Sequence, residues 1–267
     1  MINNTKGFTI IELLVAVVLA AVVTGAAMGL YIVQHKQLIV QDQVSDMQSN
    51  VRAAEAEIVK QVRMAGFKVP NNFTSLMNSN TNPDTLFVAY NCDITDIHLS
   101  DAMPNTSAEL KACDSDLTPL HDNEWAYIYD LTLKTGEYFL MTNVQYSSGH
   151  IQHNTMRLSH QYPAGSLILK MNFYKYYIDQ TIAAHPNLMV QYNGGTPAIY
   201  AENINGLNFQ FKLSSGAIVD VPTIQDMIRE VIIQVTARTD QVDQQFQSQY
   251  RARTLTSSVK VRNLGVN

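Results

Sequence analysis

MINNTKGFTIIELLVAVVLAAVVTGAAMGLYIV, residues 1–33, is the stretch that decides the architecture. Its first seven residues are polar and carry one base, Lys6. The 26 that follow, Phe8 to Val33, hold a single charge, Glu12. About 20 apolar residues are enough for a helix to cross a bilayer. Lipid offers the backbone no hydrogen-bond partners, so such a run must be helical. Lys6 before it and Lys36 after it leave the positive-inside rule undecided. Glu12 separates three readings. A carboxylate in an inserted helix costs about 2.5–3.5 kcal/mol, and a disposable secretory signal cut near Gly25, Ala26 and Ala27 has no use for one. A plain anchor would carry Glu12 as an interfacial charge. The third reading makes it functional, the default for an ionisable residue in a membrane segment.

Outward from this run, apolar positions recur at Val40, Val44, Met47, Val51, Ala54, Ile58, Val62 and Ala65, in steps of three and four. That is the spacing of one helical face. Gly66 and then Pro70 are stop signals. The pattern predicts one helix over 8–66, apolar all round to about residue 33 and one-sided over 34–66. The stripe reads as the side facing a sheet rather than a coiled-coil seam. Gly25 and Gly29 allow two readings, tight packing through small residues or a point where the helix can extend.

Beyond Gly66 the pattern changes to short β-like runs between turn residues. The candidates are Thr85–Tyr90, Trp125–Leu133, Tyr138–Val144, Ser166–Asp179, Asn208–Leu213, Ile228–Ala237 and Thr254–Val261, with 71–84 and 94–122 read as loops. The predicted class is α+β, a long N-terminal helix packed on an antiparallel β-rich globular head over 67–267. Net charge is −5 with 15 % charged residues, so no strongly basic face is implied and nucleic acid is not expected as a direct partner. The chain has no GxSxG, GxxxxGK[ST] or GxGxxG pattern, and no enzymatic activity is expected. His150, His153 and His160 lack the acid or cysteine spacing of a zinc site and read as a surface loop. Asp93, Asp96, Asp101, Asp114 and Asp116 are an acidic cluster of the kind that calcium uses, but without a D-x-D-x-D-G loop; no cofactor is expected.

Gly7-Phe8-Thr9-Ile10-Ile11-Glu12-Leu13-Leu14 closely resembles the class III signal of type IV prepilins and type II secretion pseudopilins. The resemblance implies a leader over 1–7, cleavage between Gly7 and Phe8 by a prepilin peptidase, and N-methylation of Phe8. It places Thr9 and Glu12 in assembly, with Glu12 able to pair with a Phe8 amine. It also implies a subunit held single-pass in the inner membrane with its head in the periplasm, then extracted by an assembly platform into an extracellular pilus with major and minor pilins. For such an extracytoplasmic head, a Cys92–Cys113 disulfide is expected over two free thiols.

The rest of the chain resembles, more narrowly, PilW-like minor pilins. The features are VRAAEAEIVKQVRMAGF at the helix end, an aromatic strand at Asn172–Ile178, AENINGLNFQF at Ala201–Phe211, REVIIQV from Arg229, and KVRN at Lys260–Asn263. That resemblance implies a minor subunit that primes assembly or sits at the tip, serving adhesion, motility or DNA uptake. J-class minor pseudopilins share much of this layout. A membrane-anchored binding protein is the reading from a different class.

Overall fold

The computed structural model describes residues 9–70, 73–91, 97–154, 157–243 and 246–264. Helix α1 runs unbroken over Ile10–Met64, 55 residues, or about 82 Å at 1.5 Å per residue. It continues through Gly25 and Gly29 without a break. The sheet-facing stripe is realised as expected. Met47, Val51, Ala54, Ile58 and Val62 are buried, while every residue from Ile10 to Ile39 is exposed.

The helix stop has two parts far apart in sequence. Gly66 adopts φ +78, a left-handed conformation that glycine enters without steric cost. A Cβ there would lie 2.4 Å from Leu264 Cδ2. Asn263 Nδ2 donates to the carbonyls of Arg63 (3.2 Å) and Ala65 (3.3 Å), satisfying acceptors that the last helical turn leaves free. The RMAG helix terminus and the terminal KVRN are thus two halves of one cap.

Sixteen strands follow among the described residues: β1 (Leu76–Asn78), β2 (Leu86–Tyr90), β3 (Ile97–His98), β4 (Leu110–Lys111), β5 (Trp125–Asp130), β6 (Thr135–Leu140), β7 (Asn143–Gln145), β8 (His150–Gln152), β9 (Leu167–Lys170), β10 (Asn172–Asp179), β11 (Asn187–Tyr192), β12 (Ala198–Glu202), β13 (Ile204–Leu213), β14 (Ile218–Val219), β15 (Ile228–Arg238) and β16 (Ala252–Lys260). They form sheets ordered β1-β2-β10-β11-β12, β14-β13-β15-β16, β3-β9-β5-β6 and β4-β8-β7, with antiparallel pairing throughout.

The first two sheets and α1 share one core. The helix packs on β15 and β16 and touches β12 and β2. Ile58, Leu86, Tyr176, Phe209, Ile233 and Val235 all lie in that core. At its centre Tyr176 Oη donates to Glu57 Oε1 (3.1 Å) and Tyr90 Oη to Gln61 Oε1 (2.8 Å), so the half-polar flank of the helix is hydrogen-bonded rather than merely covered.

The other two sheets form a second lobe. The chain leaves the first sheet after Tyr90 and re-enters it at Asn172, its direct cross-strand partner. Between them, segment 91–171 builds a core of its own around Leu110, Ile128, Phe139, Ile151 and Ile168. Phe73, Ala89, Leu169 and Met171 join the lobes, with Phe73 edge-on to Tyr127 at 4.5 Å between ring centres.

This two-lobed head corrects the strand readings. Ser166–Asp179 is not one strand. It divides at buried Met171 into β9, in the second lobe, and β10, in the first. The stretch 71–84 contains β1, and 94–122 contains β3 and β4. β11 and β12 were unexpected. His150–Gln152 is strand β8 rather than loop, because Ile151 pairs with Leu110. His153 is buried with Nε2 2.7 Å from the Ala108 carbonyl oxygen.

Ile58→Ala removes a fully buried side chain from the shared core. It should lower stability by about 2–5 kcal/mol, measured by urea unfolding of the detergent-solubilised chain and followed by Trp125 fluorescence. A pH effect is also expected. Burial pushes the Tyr127 hydroxyl up to about 12 from about 10 in an unfolded chain. A raised pKa here favours the neutral phenol in the fold, so that contribution is complete below about pH 10 and is lost as pH rises through about 12. Urea midpoints should therefore fall across this window, and Tyr127→Phe should flatten the fall.

Candidate assembly segment

The first turn of α1 is closed by its own side chains. Thr9 is the N-cap, with extended φ −77 and ψ 150. Its Oγ1 accepts from the Glu12 amide at 3.3 Å. Glu12 reaches back, and its Oε2 accepts from the Thr9 amide (2.9 Å) and from Thr9 Oγ1 (2.9 Å). This is a reciprocal capping box, and it places a carboxylate at the positive end of the helix dipole. Thr9 and Glu12 are thus brought together as one unit. Glu12 is not an orphan charge in an apolar helix. Its carboxylate is held at the helix start, on the residue that follows Phe8. Gly7 and Phe8 themselves lie outside the described residues.

From Leu13 to Val33 the helix surface is apolar apart from Thr24 and the Tyr31 hydroxyl. Ile10 is 78 % exposed, and Leu14, Leu19, Val23 and Leu30 are 60–66 % exposed. An added Cβ at Gly25 or Gly29 would meet nothing within 4 Å. No contact within the subunit requires either glycine, so any crowding they relieve lies between molecules. The helix is long and apolar enough to cross a membrane.

The other sequence candidates do not gather into a site. Cys113 is an exposed free cysteine whose Sγ donates to the Ser148 carbonyl at 3.3 Å. The expected partner, Cys92, lies outside the described residues, as do Asp93 and Asp96. Asp101 pairs with Lys111 at 3.7 Å. Asp116 accepts from the Thr118 hydroxyl and amide, bonds that hold its carboxyl below the usual range, the hydroxyl most. Among the described residues no group of three or more His, Cys, Asp and Glu could hold a metal ion. His150 Nδ1 meets Glu109 Oε1 at 3.1 Å and His160 Nε2 lies 4.0 Å from Asp130 Oδ2. Sequence reading missed Asn263, whose capping role becomes visible only when the chain end meets the helix end.

Residues 2–28 match the prokaryotic N-terminal methylation motif. No curated protein and no solved structure matches the chain. The motif supports a type IV pilin-like protein. It implies processing by prepilin peptidase and assembly with other pilins in a membrane, which fits the exposed apolar helix.

Thr9→Val removes the hydroxyl that both accepts and donates in the capping box. It should weaken the first turn by about 1 kcal/mol, seen as faster amide hydrogen exchange at Ile11 to Leu13 in micelles, with exchange beyond Val23 unchanged.

Proposed function

We propose that this chain is a minor pilin of the PilW-like kind, a structural subunit that primes or tips a type IV pilus. The observation that carries the reading is the methylation motif set on a helix that is exposed throughout and apolar all round from Leu13 to Val33. An apolar surface of that extent must be covered by lipid before assembly and by neighbouring helices after it. In this reading the precursor waits in the inner membrane with its head in the periplasm. Cleavage after Gly7 exposes the Phe8 amine, which is methylated. The capping box then serves assembly. It already holds Glu12 Oε2, and the carboxylate pairs with the Phe8 amine of a neighbouring subunit as the helix enters the filament core. A buried charge left without its partner is strongly unfavourable, so the pairing penalises wrong axial register. The role needs no catalysis and no cofactor.

The size of the head supports a minor rather than a major subunit, since its second lobe adds bulk that a densely packed shaft must accommodate at every position. A type II secretion pseudopilin would share the helix and the processing. Deletion separates the two, because loss of surface pili marks a pilin and retention of secreted enzymes inside the cell marks a pseudopilin. A membrane-anchored binding protein would keep its leader.

Mass spectrometry of the native N-terminal peptide should find a chain beginning at N-methylated Phe8. A chain beginning at Met1 would overturn the reading in favour of a plain anchor. Glu12→Ala should be processed normally yet enter filaments at least tenfold less, measured by immunoblot of sheared pili against the membrane pool.

A further inference from the structure

Hydrogen bonds to α1 fix the height of each strand along the helix. Tyr90 Oη meets Gln61 and Tyr176 Oη meets Glu57, so β10 descends toward the helix N-terminus. Ser257 Oγ bonds Glu55 and Asn263 bonds Arg63, so β16 ascends and its antiparallel partner β15 descends. Asn50 Nδ2 donates to the Glu202 carbonyl at 3.2 Å, near where β15 ends. The β10–β11 turn and the β15–β16 connection therefore both lie at the membrane-facing end of the head.

These two turns are tied into one base. Arg238 Nη2 donates to the Ala183 carbonyl at 2.7 Å, and its guanidinium lies 4.0 Å over the Tyr250 ring. His185 Nδ1 lies 2.7 Å from Asp240 Oδ1. Arg251 pairs with Asp243 at 2.7 Å and lies 5.4 Å over Phe246. From this polar frame three large apolar side chains project, Ile182 (61 % exposed), Val242 (46 %) and Phe246 (49 %).

The height of this base matches the bilayer surface. With Glu12 at the inner boundary, Leu13 to Val33 spans about 30 Å, the thickness of a hydrocarbon core. The head covers the helix from Val40 upward, where Val40, Gln43 and Val44 become half-buried. Seven residues, or about 10 Å of helix, separate Val33 from that level, comparable with a headgroup layer. Between these levels lie the polar residues Gln34 to Gln37, and exposed Leu38 and Ile39 then stand beside the base of the head. Arginines lying on aromatic rings beside projecting apolar tips are suited to this layer, which favours side chains that are part apolar and part charged.

We infer that the base of the head, with Ile182, Val242 and Phe246 as its apolar tips, docks on the outer headgroup layer of the membrane that holds α1. This rests on the membrane-anchored reading above. Docking gives the waiting subunit a second attachment and a fixed tilt, and extraction into a filament must release it.

The test uses full-length protein in phosphatidylethanolamine–phosphatidylglycerol vesicles carrying lipids brominated near the headgroup end of the acyl chain. Trp125 of the wild-type chain, in the second lobe, sets the baseline. In Phe246→Trp the added fluorescence should be quenched at least twofold, and Ile182→Trp provides an independent probe should that variant fold poorly. Ile224→Trp, at the opposite end of the head where β15 begins, should be unquenched. Equal quenching in Ile224→Trp and Phe246→Trp would overturn the inference, since the head would then meet lipid without preference. So would the absence of quenching in Phe246→Trp, including the case in which its added emission shifts to the blue only in assembled filaments, which would assign the base to a neighbouring head. Resistance of the same samples to carbonate extraction separates the two levels: retention without quenching sinks the docking alone, whereas loss of retention sinks the membrane-anchored reading beneath it.

Discussion

The stripe of α1 formed by Met47, Val51, Ala54, Ile58 and Val62 has to be buried, and the head is arranged around that need. A 55-residue helix with an apolar lower half cannot be kept in one orientation by its own backbone. It is fixed by what closes over its upper half. Two sheets do so, and the contacts that finish the job are polar: Tyr176 on Glu57, Tyr90 on Gln61, and Asn263 on the carbonyls of Arg63 and Ala65. Each joins the helix to a different part of the chain. The finished core therefore draws on β2, β10 and the C-terminal segment together, and the chain end is part of the helix end.

The two halves of α1 answer to different surroundings with one backbone. From Leu13 to Val33 no face differs from another, as suits lipid or a ring of like helices. From Val40 on, one face is claimed by the sheets. The capping box ends the lipid-facing half by satisfying the Thr9 and Glu12 amides, and does so with Glu12, the only charge between Phe8 and Val33. A single side chain thus caps the helix start and holds its carboxylate beside the Thr9 amide.

How much of this could be read in the sequence follows from the range of the forces involved. The helix and its stripe were legible because 3.6-residue periodicity is local and α1 sustains it from Val40 to Ala65. The Thr9–Glu12 capping box has a local spacing too but went unread, since both residues entered through the prepilin resemblance as assembly residues and the helix was expected to start at Phe8 rather than with Thr9 as its N-cap. The central strands β10, β13, β15 and β16 were legible as β-rich runs, since they lie in wide sheets with a buried face. The break at Met171 was not, because nothing within Ser166–Asp179 distinguishes a residue that turns between lobes from one inside a strand; its burial against Phe73 and Ala89 is a long-range contact. β3 and β4 are two residues each, too short to show a period, and exist only through pairing with β9 and β8. Asn263 looked like an ordinary polar tail residue for the same reason.

The second lobe enters and leaves the first sheet at Tyr90 and Asn172, neighbours across one ladder. Tension drawn along a filament would be carried by the helices and by the sheets packed directly on them. A lobe hung from two adjacent points on a sheet lies off that line. It can bear a load of its own at the outer surface, such as drag or the pull of an attached object, and pass it through the Phe73–Met171 junction into the sheet without prying α1 from its seat. It can also be enlarged, reshaped or lost with little change in the distance that the chain must span at its root, which leaves the outer face of the subunit free to diverge while the packing shared with its neighbours is kept.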